Sequence, residues 1–150
     1  MIDLKNVVGT MKAFSEGHRM INQTLLIKDE QELEHLTFKY RTFCMHMVNA
    51  RIPRDTASPV YELDINLLLL DKIIKGNDIA FMESSQENLF ILGQLQDFLQ
   101  QSFEEYDFEI DNVDLAPVSV PDYNITGASA VLTIRVDRES YKNEIDYEQS

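Results

Sequence analysis

The fold is decided between residues 60 and 136, most clearly by the stretch Val60-Tyr61-Glu62-Leu63-Asp64-Ile65-Asn66-Leu67-Leu68-Leu69-Leu70. From Tyr61 to Leu67, apolar and polar residues alternate with a period of two. This alternation predicts a β-strand, over about Val60 to Ile74, with one buried and one solvated face. The run from Leu67 to Leu70 is apolar on both faces, so we expect that end to be covered twice, by a helix and by a further element such as a partner subunit. A helix is the alternative, because leucine favours helices.

A helix is predicted after this strand. Lys75-Gly76-Asn77-Asp78 is typical of a turn, and Ser84 or Ser85, followed by Gln86-Glu87, offers a hydroxyl cap and an early acid. We therefore expect residues 75–83 to form a loop, with a helix of about four to five turns after it. One series of residues in it has spacings of three and four, and its apolar members are expected to form the sheet-facing stripe: Asn88, Ile91, Leu92, Leu95, Phe98, Leu99 and Ser102.

Two further strands are predicted to close the sheet. The first covers Tyr106 to Leu115, with Phe108 and Ile110 inward and a phase slip near Asn112 that indicates a bulge. Gly127 is expected to open the second, which runs to Val136. One face of this last strand is apolar: Ala128, Ala130, Leu132, Ile134 and Val136.

The first half of the chain adds a helix and a long strand. A helix is predicted over residues 2–20, and the patch at 24–27 is a possible short strand. Residues 37–52 alternate as a strand, with Cys44 and His46 on one side, and are expected to form an extended hairpin with residues 60–74 across the loop 52–59. The predicted fold class is α+β: an antiparallel or mixed sheet of four to five strands, one main helix on a face and an N-terminal helix. Residues 1–137 form one domain, and 138–150 form an acidic tail or arm.

The charge is strongly acidic and uneven. The net charge is −13, of which residues 103–150 carry −9, from 12 acids and 3 bases. Such a surface repels phosphate backbones, so sequence-independent nucleic-acid binding is not expected. The acidic end is either a solvated surface that aids solubility or a docking surface for a basic neighbour.

Compartment and membrane signals are few. Cys44 is the only cysteine, which excludes an internal disulfide and fits a reducing compartment. The first five residues have neither the basic nor the apolar region of a signal peptide. The longest apolar run is too short for a membrane span. We expect assembly in a cytoplasm and no membrane association.

No group of residues has the spacing of a catalytic or metal site. The three histidines, His18, His35 and His46, form no pair at i and i+4, so we expect structural roles for them. Cys44 and His46 share a strand face without a third orienting group. Asp107, Glu109 and Asp111 could hold a hard cation, but a solvated strand face explains them better. We predict no catalytic residue, no cofactor and no metal.

The chain resembles the tail-terminator and neck-ring proteins of tailed bacteriophages, in particular the ring type of crAss-like phages. The resemblance covers about half of the chain and is one of architecture: helix, long strand, loop, long strand, helix, strand, strand. It is carried by Leu63 to Asp71, Asn88 to Leu99, Phe108 to Leu115 and Ala128 to Val136. The helix contains Leu92-Gly93-Gln94-Leu95-Gln96-Asp97-Phe98-Leu99, similar to a family pattern. Where that family has a Gly-Trp-like turn, this chain has Tyr123 to Gly127.

The resemblance implies a structural virion protein that forms a ring of 6 or 12 copies in the neck or tail. Its partners would be portal, adaptor, tail or other ring proteins, and DNA would pass through without specific binding. The subunit interface would include residues from several segments: Arg51, Arg54, Leu68, Leu70, Ile79, Phe81, Tyr141, Ile145 and Tyr147. The alternatives are an acidic adaptor module for a basic protein and, last, a small enzyme.

Overall fold

The computed structural model describes residues 4–29, 32, 39–52, 60–73, 77–104, 108–115 and 125–137. Within these ranges the chain forms two α-helices and one mixed five-stranded sheet. The helices are α1 (Leu4–Gly17) and α2 (Asp78–Ser102). The strands are β1 (Gln23–Ile27), β2 (Thr42–Arg51), β3 (Val60–Lys72), β4 (Glu109–Asp114) and β5 (Ile125–Asp137). The predicted α+β class is confirmed.

The sheet is built around β3. The strand order is β1-β2-β3-β5-β4; β1 is parallel to β2, and all other neighbours are antiparallel. β3 and β5 pair along their whole length, from Val60 opposite Asp137 to Lys72 opposite Ile125. The predicted hairpin of β2 and β3 is present, although its connection at 53–59 lies outside the described residues. Because β3 lies between two long partners, the helical alternative for this stretch is wrong.

One sheet face packs against both helices. Ile65, Leu67 and Leu69 of β3 are fully buried there, as the period-two pattern predicts. α1 packs over β1, and α2 lies beside it over β5 and β4. The core between the helices and the sheet is one cluster of buried residues from both layers. Its members include Val7, Met11, Phe43, Met45, Leu95, Leu99, Ala130, Leu132 and Ile134.

The opposite sheet face changes character along the strands. Cys44 and Leu70 are buried on it near the start of β2. At the other end Glu62 accepts ion pairs from Arg51 at 2.9 Å and Arg135 at 3.3 Å, and Thr133 donates to Asp64 at 3.0 Å. Leu69 and Leu70 are buried on opposite faces of β3. Their burial agrees with the expectation that the Leu67 to Leu70 end of this strand is covered on both sides.

Several predicted boundaries are wrong: α1 ends at Gly17 and not at residue 20, β4 begins at Glu109 and not at residue 106, and two further differences are larger. α2 begins at Asp78, not at Ser84 or Ser85, because Asn77 is the N-cap and its side chain accepts a hydrogen bond from the Ala80 N–H. Residues 78–83, predicted as a loop, are therefore helical. β2 begins at Thr42, and residues 39–41 before it are not in a strand, so the predicted start at 37 is too early.

Bulges account for the remaining differences in phase. A shift between Met47 and Asn49 places Asn49 opposite Asp64 and Ala50 opposite Leu63. Ala50 is thereby moved to the face opposite that of Cys44 and His46, contrary to the alternation in the sequence. The bulge predicted near Asn112 is confirmed, since the register shifts between Asp111 and Asp114 and Asn112 has a φ of 51°.

Candidate functional site

The outer side of α2 leaves large apolar side chains in solvent. Ile79, Met82, Leu89 and Phe90 are exposed to between 46% and 66%. At 100° per residue these four lie on one side of the helix, together with Gly93 and the polar Gln86, which separates Met82 from Leu89. We call Ile79, Met82, Leu89, Phe90 and Gly93 the α2 outer face. The side facing the sheet carries different residues, all buried: Ser84, Ser85, Asn88, Ile91, Leu92, Leu95 and Leu99.

The α2 outer face has an acidic surrounding. The helix contains four charged residues, Asp78, Glu83, Glu87 and Asp97, and all are acids. The neighbouring strand β4 contains Glu109, Asp111 and Asp114 and no base, but their pairing with β5 places these three acids on the sheet face away from α2. Exposed apolar side chains rimmed by polar groups are typical of interaction sites. The α2 outer face is of this kind.

A buried polar cluster fixes the inner side of α2 to the sheet. Arg41, which is 4% exposed, donates through Nη2 to Asp71 Oδ2 at 3.0 Å and to Glu87 Oε2 at 2.7 Å. Ser84 Oγ donates to the same Asp71 oxygen at 2.7 Å and also contacts Thr126 Oγ1. We call these five residues the Arg41 cluster. It joins the start of β2, the end of β3, the start of β5 and α2, so its role is to position the helix.

His18 links the two helices. Its Nδ1 accepts a hydrogen bond from the Met20 N–H at 3.1 Å, and its Nε2 donates to Gln94 Oε1 at 2.8 Å. The Phe14 ring contacts both the His18 ring and that of Phe98, with centroids 5.4 Å apart in each pair. His18 thus has the structural role predicted for it, whereas His35 lies outside the described residues.

Cys44 is a buried, neutral thiol. Burial raises its pKa from 9.0 to about 12, so the thiolate that a nucleophile needs is absent at neutral pH. His46 lies two residues away on the same face, opposite Asn66 of β3. The pair has the geometry of two neighbours on a strand, and Cys44 serves as a small apolar side chain.

The residues expected at an interface fall into three groups. Ile79 and Phe81 are exposed on α2, while Leu68 is half-buried and Arg51 is exposed on the second sheet face. Leu70 is only 3% exposed, so its side chain offers no free surface. Outside the described residues lie Arg54, Tyr141, Ile145 and Tyr147.

Sequence reasoning missed Met82, Leu89 and Phe90, because residues before Ser84 were assigned to a loop and only the buried stripe of α2 was considered. Their spacing with Ile79, at three, ten and eleven residues, was a detectable signal for a second apolar stripe.

The β4 carboxylates considered as cation ligands differ in exposure: Asp111 is half-buried and Glu109 is exposed. No group of three or more potential ligands that could hold a metal occurs in the described ranges.

Comparisons with known proteins add no relative. No protein-family model matches the chain, and no curated protein is significantly similar to it. Within the described residues, no helix combines the length and apolar character needed to cross a membrane.

Proposed function

We propose that this chain is a structural subunit that assembles with its own copies into a ring in the neck or tail of a tailed bacteriophage. The observation that carries the proposal is the α2 outer face. Its apolar side chains are turned away from the one sheet that α2 covers, and no other element in the described part of the chain covers them, so we expect another molecule to remove them from water. A helix used in this way serves assembly rather than chemistry.

The side chains of the α2 outer face are large enough for their burial to stabilise an intermolecular contact. Burying a large apolar side chain stabilises an interface by about 1.5–3 kcal/mol before ordering costs. The α2 outer face offers four such side chains, and aromatic residues such as Phe90 are enriched at protein interfaces. The resemblance in element order to tail-terminator and ring proteins supports a ring as the form of that assembly.

An acidic adaptor for a basic protein is the second candidate function. The specific observation in its favour is the charge of α2 and β4, which together contain seven acids and no base. Such an adaptor would remain a monomer or dimer and would bind its cationic partner with a strong salt dependence.

Electron microscopy of the purified protein tests the proposal. We expect negative-stain class averages of closed rings with a central opening, and the chain in the neck or tail of purified virions. Phe90→Glu should weaken assembly at least about 30-fold, because it places a charge at the centre of the contact. Gln101→Glu is the matched control, since it adds the same charge at the exposed end of the same helix. Discrete monomers at all concentrations would contradict the ring and favour the adaptor.

A further inference from the structure

The sheet-facing side of α2 is apolar in its second half and polar in its first. The buried residues from Ile91 to Leu99 are all apolar, whereas those before them are Ser84, Ser85 and Asn88. Asn88 is fully buried, and Ser85 is 6% exposed. Neither atom of the Asn88 amide, nor the Ser85 hydroxyl, has a hydrogen-bond partner among the described residues. The first half of α2 therefore places unpaired polar groups in the protein interior.

The three polar side chains form a short row across the buried side of the helix. Asn88 is four residues from Ser84 and three from Ser85, and side chains at these spacings are neighbours on a helix. At 100° per residue, Asn88 points between the directions of the two serines. Ser84 Oγ is bonded to Asp71 at 2.7 Å. The Asn88 amide thus lies between the Arg41 cluster on one side and the Ser85 hydroxyl on the other.

The Arg41 guanidinium adds a further unpaired donor to this region. Its Nη2 binds the same Asp71 oxygen as Ser84 Oγ, so the guanidinium and the Ser84 hydroxyl are neighbours. Arg41 Nε is buried and has no hydrogen-bond partner within the part of the chain that the structure describes. Unpaired buried atoms of Arg41, Ser85 and Asn88 are therefore gathered beneath the first half of α2.

The unpaired atoms determine what kind of molecule fits between them. They include the donors Arg41 Nε and Asn88 Nδ2, the acceptor Asn88 Oδ1 and the Ser85 hydroxyl, which can do either. The carboxylates of Asp71 and Glu87 outnumber the single cation that they bind, which disfavours an anion. A small neutral molecule that both donates and accepts is left, and water is the usual one.

We infer that the first half of α2 covers an internal water site. At least one bound water molecule there is bonded to the Asn88 amide and bridges it to Ser85 Oγ or to Arg41 Nε. Buried polar groups without a protein partner are normally satisfied in this way, and a buried water makes about three hydrogen bonds. The site goes beyond the proposed function, because the water belongs to the interior of one copy and needs no ring.

A high-resolution crystal structure of the full chain tests the inference. We expect an ordered water oxygen within about 3.2 Å of an Asn88 amide atom and of Ser85 Oγ or Arg41 Nε. Asn88→Leu keeps a side chain of similar size without a polar atom, so it should lose this water while Arg41 keeps its bonds to Asp71 and Glu87. A wild-type structure without that water, or with the Asn88 amide bonded only to protein groups, would overturn the inference.

A second variant protects the comparison if Asn88→Leu does not fold. Ser85→Ala removes one hydroxyl from the helix, and we expect the water to stay on Asn88 without a contact at position 85. Loss of Arg41 from its two carboxylates in this variant would count against a separate water site. The oligomeric state distinguishes this inference from the proposed ring: monomers with the water present refute only the ring, and rings with a dry interior refute only the water site.

Discussion

Arg41 is the side chain on which the contact between α2 and the sheet depends most. A guanidinium that is removed from water must be paired, and here two carboxylates from different elements bind one nitrogen. Ser84, which could have capped a helix, instead donates to Asp71 from the helix interior. The Arg41 cluster explains why the residues at the start of β2 are buried. It also explains why the sequence-based prediction placed the start of α2 too late, because Ser84 bonds to Asp71 and does not cap the helix.

Replacing Arg41 should destabilise the fold strongly. Arg41→Met removes the only cation of the cluster and leaves Asp71 partly buried, so we expect a loss of roughly 2–4 kcal/mol in the free energy of unfolding. Arg51→Met is the matched control, because Arg51 is exposed and its ion pairs with Glu62 and Asp64 should contribute less than about 1 kcal/mol. Urea unfolding measures both. Equal losses for the two variants would show that the Arg41 cluster is not a special anchor.

The thiol of Cys44 should make stability depend on alkaline pH. Its pKa is raised from 9.0 to about 12 in the folded chain. Between those values the unfolded chain loses the thiol proton and the folded chain keeps it, so stability falls as pH rises, by up to about 1.4 kcal/mol per pH unit. Unfolding curves at pH 8.5, 9.5 and 10.5 should show a steeper decline for the wild type than for Cys44→Ala. Parallel declines would mean that the thiol titrates alike in both states.

At the scale of elements, period-two patterns were sufficient where a strand has one apolar face. β3 and β5 were located within a few residues, because buried apolar residues occupy every second position along them, as at Ile65, Leu67, Ala130 and Leu132, and most residues between are polar. The parallel pairing of β1 with β2 could not be predicted, since five residues carry no signal of direction. The bulge in β2 was also hidden, because an extra residue among apolar neighbours on both sides leaves the pattern readable in either phase.

The start of α2 offers a test of competing cap signals. Asn77 followed by Asp78 is a cap with an acid in the first turn, and the structure uses it in preference to the serines seven residues later. Asn77→Ala should lower the free energy of unfolding by about 1 kcal/mol. The exposed Gln101→Ala should change it by less than about 0.5 kcal/mol. A neutral Asn77→Ala would indicate that the first turns of α2 are held by other contacts.

At the scale of the whole molecule, α2 packs one apolar side on the core and leaves a second apolar side in solvent. The sequence predicted the sheet-facing stripe of α2 correctly at Ile91, Leu92, Leu95 and Leu99, whereas Phe98 is exposed. The outer stripe was not predicted, because exposure depends on which side the single sheet covers. Composition shows how acidic the chain is, but only the fold places seven acids on α2 and β4 at one end of the sheet.

Native mass spectrometry across a concentration series tests the central claim most directly, because the claim is that sibling copies cover the α2 outer face. The account predicts one closed species of 6 or 12 copies of the 17.4 kDa chain, lost on Phe90→Glu and retained on Gln101→Glu. A 17.4 kDa monomer that persists at every concentration and salt level would contradict it.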